Sequence, residues 1–411
     1  MTEGAHDDHS HEDEVLERSG SGGAQPGLPA SPERSGGPSG EPLGAGQAER
    51  PRGDYSHEDE VLERIEAWRR RRPKLKDEFI NSAHGAGGKA SAALIDAVFL
   101  EAFRNKTLES MSDGAVLELP SGDRVAFSTD GFVVKPRRFP GGSIGDLAVN
   151  GTVNDLAMMG AVPQWISAGF IIEDGFSITE LRDLVADMAA AALKAGVQVV
   201  TGDTKVVNKG ACDGVYITTA GVGVIPAHVH LDARSVRPGD KVLVSGKIGD
   251  HGVAVLIARG DLALEADIPT DSAPLGELVE HLLAAAPNTR FLRDPTRGGV
   301  ATVLNELARE AEVGVVMQES ALPIRNIVNG ACEILGIDPL YVANEGKLVA
   351  VVPAEEVDAA LAAMQAHPFG VDAAVIGEIR EDPPGIVILN TGFGGNRIVD
   401  MLVGDPLPRI C

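Results

Sequence analysis

Residues 178–204 read ITELRDLVADMAAAALKAGVQVVTGDT: an amphipathic helix that Gly196 stops, followed at once by a strand ending at Asp203. A helix that feeds straight into a strand sets the pattern for the whole chain. Upstream, RVAFSTDGFVV (124–134) alternates Val125 and Phe127 into a strand that brings Asp130 to a bend. Before it, ALIDAVFLEAF (93–103) sets Leu94, Ile95, Val98, Phe99 and Ala102 on one helical stripe. Downstream, the strands GVYITTAGVGVI (214–225) and KVLVSGKI (241–248) flank PAHVHLDARSVRPGD (226–240), which reads as a domain boundary. The second half repeats the style, with helices at 298–311 and 355–366 and strands at 313–318, 347–352 and 385–390. Interleaved helices and strands predict two layered α/β (α+β) domains.

The 411 residues leave room for two such domains and a tail. With 44% hydrophobic but only 4% aromatic residues, the cores must be packed by Ala, Val, Leu and Gly. A formal charge of -24 argues against a nucleic-acid surface, which needs clustered Lys and Arg. The run Arg69 to Arg72 sits among acidic neighbours and reads as a solvated helix face. Three cysteines (Cys212, Cys332 and Cys411) without CxxC spacing fit a reducing cytosol better than a disulfide framework. No apolar run approaches about 18 residues, so no membrane span is expected, and the chain reads as cytoplasmic.

Residues 1–73 have a different composition, with Gly, Pro, Ser and Glu dominating 19–53, and read as a disordered extension. SHEDEVLER occurs in it twice, at 10–18 and 56–64, a local duplication that makes no repeat architecture. His6, His9 and His11 among acids offer weak Ni²⁺ or Zn²⁺ binding at most. The expected organisation is therefore 1–73 extension, 74–235 first domain, 236–400 second domain, and 401–411 a flexible arm.

Three aspartates stand where the chain is expected to turn: Asp130 in STDG, Asp155 in VNDLAMMG and Asp203 in TGDTK. Hard divalent cations on phosphates want such carboxylates, whereas Zn²⁺ would want the His and Cys these segments lack. Each Asp alone could be a cap or a turn former. HGAGGKAS (84–91) precedes a helix and could expose backbone N–H groups to phosphate, but it fails the P-loop pattern. The chain closes on DPLPRIC (405–411), where two prolines stiffen an arm with a thiol at its tip.

In order, STDGFVV, GGSIGDLAVNGTVNDLAMMGA, TGDTKVV, GDHGVAVL, DPTRGGVAT and ANEGKLV resemble the ATP-binding superfamily of aminoimidazole ribonucleotide synthetase, the PurM-like fold. Within it, the closing Pro408-Arg409-Ile410-Cys411 is similar to the HypE family of hydrogenase maturation proteins. The likeness covers about 78–411 and not the extension.

This resemblance implies a carbamoyl dehydratase. A carbamoyltransferase, HypF, would load a carbamoyl group onto Cys411, and ATP would drive its conversion to a thiocyanate. The cyanide would pass to iron on a HypC–HypD scaffold for [NiFe] hydrogenase. It further implies Mg²⁺ on Asp130, Asp155 and Asp203, and nucleotide contacts from Gly85, Gly87, Gly88, Asn154 and Asp294. Lys205 would stabilise charge at the carboxamide, Glu345 would accept protons, and a homodimer would form through the first domain. His251 in GDHG is expected to hold a turn. Two other readings stay open: a small-molecule kinase or synthetase of the same superfamily with an idle tail, and a metal-binding accessory protein using the histidine-bearing extension.

Overall fold

The computed structural model describes residues 75–411, apart from 261–266, 405, 406 and 408. The readings for residues 1–73, including the repeated SHEDEVLER and its neighbouring histidines, lie outside the described residues. In chain order the first strands are β1 (Ala115–Glu118), β2 (Arg124–Phe132), the short pair β3 (Arg138–Phe139) and β4 (Gly142–Ser143), then β5 (Val162–Glu173), β6 (Gln198–Val207) and β7 (Val215–Ile225). Five of them form one sheet in the order β1-β2-β7-β5-β6. β5 and β6 run parallel, so a crossover must join them, and helix Ile178–Ala195 is that crossover. Ser177 caps its start, and Gly196 ends it in the left-handed region at φ 71, where a side chain would be strained.

Helix Ile144–Met158 starts with a capping box in which Ser143 accepts from Gly145 N while Asp146 accepts from Ser143 N. It is buried nearly all round because it is wedged between layers. Val149 and Val153 pack with Met188, Ala191 and Ala192, and Leu156, Ala157 and Met158 pack with Leu275, Leu278 and Leu282. Asp155 therefore rides on a helix held from both sides.

The remaining strands are β8 (Lys241–Val244), β9 (Phe291–Arg293), β10 (Gly314–Gln318), β11 (Val349–Val352), β12 (Ala374–Arg380), β13 (Val387–Asn390) and β14 (Asn396–Val399). They form a seven-stranded sheet in the order β14-β13-β10-β12-β8-β11-β9. All four residues of β11 are buried, because apolar layers cover both faces of the sheet. Val349 and Val351 join Leu304 and Leu307 on one side, while Ala350 and Val352 join Leu278 and Met364 on the other.

Four local expectations need correction. The stripe at 93–103 is not one buried α-helical face. Lys89–Leu94 is α-helical, Ile95–Leu100 widens into a π-helix, and Val98 and Phe99 are about half exposed while Ala93 and Leu100 are buried. Asp130 lies inside β2, not at a bend, paired with Thr219. β6 does not end at Asp203 but runs on to Val207, held by its pairing with β5. Asp155 is helical, not in a turn.

Candidate functional site

The C-terminal arm is docked. Val133 N donates to Cys411 O (3.1 Å) and Lys135 N to Arg409 O (3.2 Å), so the last three residues run beside the segment that follows β2. Arg409 donates to Val133 O and reaches Asp213, and Arg259 donates to Arg409 O. Leu407, Ile410 and Cys411 are buried among Val253, Val342 and Ala343. His251, expected to hold a turn, instead places Nε2 at 2.7 Å from Ile410 O and Nδ1 at 2.7 Å from Thr270 Oγ1. A carbonyl only accepts, so Nε2 carries the proton and donates.

Cys411 ends at a cavity of about 260 Å³ whose lining includes Gly85, Val133, Arg297, Gly298 and Tyr341. Arg297 Nη1 lies 3.3 Å from Cys411 Sγ. Burial still pushes the thiol up to about 12, with Arg297 opposing and Glu345 and Asp130 adding to the rise. The glycine loop is part of the same wall. Gly87 (φ 74) gives its N–H to Ser91 Oγ, and a Cβ there would stand 2.9 Å from Arg297 O. At Gly88 a Cβ would meet Leu402 O at 2.4 Å, so the loop can lie flat on the Arg297 and Leu402 backbones only as glycine.

Beside the thiol lies a cluster of acids. Asp155 on its helix, Asp130 on β2, Asp113 before β1 and Asp294 after β9 all have carboxyls raised by burial. Asp294, Asp113 and Asp130 each push Asp155 further up, so these four carboxylates share one field. Asp155 accepts from Ser128 Oγ at 2.6 Å, and Arg293 faces Asp113 at 3.1 Å. Glu345 is 3% exposed and is raised well above its usual range by burial and by Asp294, Asp130 and Asp271. Its Oε1 has no hydrogen-bond partner among the described residues. Asn154 uses its amide inside the protein, donating to Ala273 O and Glu345 O and accepting from Leu275 N, which fixes the Glu345 backbone.

Of the residues expected in the site, the chain thus brings together Asp130, Asp155, Asp294, Glu345, Cys411 and the glycine loop. It does not bring Asp203 and Lys205 to them. Row by row the register runs Asp130–Thr219–Ala168–Gly202, which puts β6 three strands from β2, roughly 14 Å at about 4.8 Å per strand. There Lys205 pairs with Asp203 at 2.6 Å, and both are 67% exposed. Asp113 and Arg297 went unread in the sequence. Ser112-Asp113-Gly114 repeats Thr129-Asp130-Gly131, and Arg297 sits between Asp294 and the glycine pair of DPTRGG, so each carried a signal.

The donor set beside the thiol is carboxylate oxygen, which suits a hard cation. Among the described residues no three His, Cys, Asp or Glu side chains converge on one ligating point. Phosphate and water oxygens would have to complete any metal shell.

Comparison with known proteins agrees with this geometry. Family models for AIR synthase related proteins match residues 111–225 with the N-terminal domain and 237–390 with the C-terminal domain. The carbamoyl dehydratase HypE of Azotobacter vinelandii is 54% identical over 82% of this chain and 98% of its own length. A crystal structure of a HypE–HypF complex matches with TM-score 0.72 and 47% identity, over 75% of this chain and 100% of that one. HypE crystallised with ATP matches with TM-score 0.68 and 45% identity, over 81% and 100%. Among the described residues no helix is long and apolar enough to cross a membrane. With both domain models matched and more than half of its aligned residues shared with a curated enzyme, the chain belongs to the HypE carbamoyl dehydratases of hydrogenase maturation, a branch of the AIR synthase related fold.

Proposed function

We propose that this chain converts an S-carboxamide on its own Cys411 into an S-thiocyanate, using ATP with Mg²⁺. The observation that carries the reading is the docked thiol, which shares one cavity with the glycine loop and Arg297 and has buried carboxylates beside it. ATP supplies a phosphoryl group that turns the amide oxygen into a competent leaving group, and Mg²⁺ supplies charge neutralisation during the transfer.

The chain's own residues do the rest. Asp130, Asp155, Asp113 and Asp294 would hold the cation. Backbone N–H groups of Gly85 and Gly88 would cover the phosphates, the Gly87 N–H being taken by Ser91 Oγ. A cavity of about 610 Å³ whose lining includes Ser112, Gly114, Met158, Met159 and Arg293 would take the nucleoside. Glu345, raised by burial and by its acidic neighbours and with an unpartnered Oε1 among the described residues, takes protons from the amide nitrogen, since a carboxylate made more basic accepts protons more readily. Burial of Leu407 and Ile410 excludes water from the carboxamide.

Loading needs the thiol to leave this pocket for a carbamoyltransferase of the HypF kind, and delivery needs it to reach an iron scaffold such as HypC–HypD. A homodimer through β6 is the second part of the proposal. That strand is an edge with every residue but Val207 exposed, Val199, Val200 and Val206 among them. Asp203 and Lys205 would then act on a partner chain's site. The division near 235, with arms and domains as read from the sequence, is supported by the two sheets falling on either side of 226–240. A cytoplasmic setting is supported by three unpaired cysteines.

The functional test is turnover by isolated carbamoylated protein. Added ATP should release one ADP and one phosphate for each Cys411 converted. Phosphate release that is independent of Cys411 loading would contradict the reading and favour a small-molecule kinase or synthetase.

A further inference from the structure

Arg297 brings a positive charge to the one atom that would carry the substrate. Its Nη1 lies 3.3 Å from Cys411 Sγ, and its backbone packs under Gly87. Asp130 and Glu345 act on its charge from the acidic side, and the guanidinium lines the same cavity as Gly85 and Cys411. Such a cation could serve the thiol itself or whatever the thiol carries. Service to the thiol fails on the surroundings: burial outweighs Arg297, so the docked sulfur stays protonated near neutral pH. Loading also takes place in another enzyme's site. What remains is the cargo, whose oxygen stands only two bonds from Sγ.

We infer that Arg297 is a catalytic residue of the dehydration, binding the oxygen of the S-carboxamide and the phosphoryl group which that oxygen takes up. The assignment rests on the function proposed above. The carboxamide oxygen forms a bond to the γ-phosphorus, the bond to ADP breaks, and ADP leaves with that electron pair. One N–H proton goes to the base. The C–O bond then breaks with its electron pair on phosphate, the second N–H proton passes to that departing phosphate, and C≡N forms. The amide oxygen ends in phosphate and nothing is oxidised or reduced. Arg297 stays protonated throughout and neutralises charge where it accumulates, first on the oxygen and then on the departing phosphate. A guanidinium suits this because its planar fork meets two oxygens at once, which an ammonium cannot do. Lys205, expected to do this work, is 67% exposed and three strands from Asp130 within the chain.

The test compares the full-length parent, Arg297→Gln and Arg297→Lys. Each is incubated with HypF-type carbamoyltransferase, carbamoyl phosphate and ATP and followed by mass spectrometry of the C-terminal peptide. Arg297→Gln should load normally, bind ATP within about threefold of the parent, and convert about 10²–10³-fold more slowly, the usual cost of one lost transition-state donor. Arg297→Lys keeps the positive charge, and should still lose at least about tenfold. Iodoacetamide labelling of Cys411 should be no faster in either, since Arg297 favours the thiolate and its loss can only slow alkylation. Conversion within about twofold of the parent, or loss of loading or of ATP binding, would overturn the assignment. So would faster alkylation in step with slower conversion, since Arg297 would then only anchor the arm. A parent that loads but never converts would instead bring down the functional reading, and this assignment with it.

Discussion

At Cys411, burial and Arg297 pull the thiol in opposite directions and burial wins, moving it from an ordinary 9.0 to about 12. The docked arm therefore prefers the protonated sulfur. By linkage that preference is fully present below pH 9.0 and is lost as pH rises toward about 12. Alkylation of Cys411 in the folded protein should lag behind that of a free tail peptide at neutral pH, with the gap closing across this window. A gap independent of pH would mean that the arm is held by contacts indifferent to the thiol. His251 holds the same arm one residue earlier. His251→Ala leaves the buried Ile410 carbonyl unpaired, a loss of about 1–3 kcal/mol. Iodoacetamide labelling of Cys411 should accelerate by about tenfold or more, and labelling at the parent's rate would contradict the latch. Asp155 shows the opposite balance, a carboxylate whose surroundings disfavour its charge and to which the proposed function gives a cation. Its neighbours Asp294, Asp113 and Asp130 all disfavour its charge. Asp155→Asn should raise the melting temperature while weakening Mg²⁺–ATP binding by about tenfold or more, since a hard cation loses a ligand. Calorimetry measures both, and a variant that melts lower and binds ATP normally would make Asp155 a structural residue.

Between elements, the sheet order decides which aspartates meet. β7 is the last strand of its sheet in sequence yet inserts between β2 and β5, carrying β6 to the far edge. Alternation along RVAFSTDGFVV and the Gly196 stop were legible because each depends on local periodicity or a single backbone angle. The strand order was not, because it depends on which faces bury against helix Ile144–Met158. Hence Asp130 and Asp155 could be read as site residues one at a time, while their meeting with Asp113, and the distance to Asp203, could not. Asp113 could have been found from its Asp-Gly echo of Asp130. The half-exposed Val98 and Phe99 show another limit, since the spacing marks an apolar stripe but not the surface that covers it. The edge itself is testable. Val200→Lys with Val206→Asp places charges on β6, and sedimentation should move the protein from twice the chain mass to once. A parent already at single mass would remove the homodimer.

On the scale of the whole molecule, the curated HypE from Azotobacter vinelandii aligns over 98% of its own length with only 82% of this chain. The surplus corresponds in size to residues 1–73, whose composition offers little to bury. Deleting 1–73 should leave ATP-dependent conversion within about tenfold of the parent, some 1.4 kcal/mol in the barrier. A larger loss would show that the extension serves the site. The proposed reaction turns on one sulfur atom. Its most direct measurement is the mass of the peptide ending in Cys411, followed through incubation with carbamoyltransferase, carbamoyl phosphate and ATP. That peptide should first gain about 43 Da, as CONH₂ replaces the thiol hydrogen, and then lose about 18 Da as the covalently held amide becomes a nitrile. Cys411→Ala should abolish both steps and leave ATP binding intact. An unchanged Cys411 peptide, or the same mass changes at Cys212 or Cys332, would contradict it.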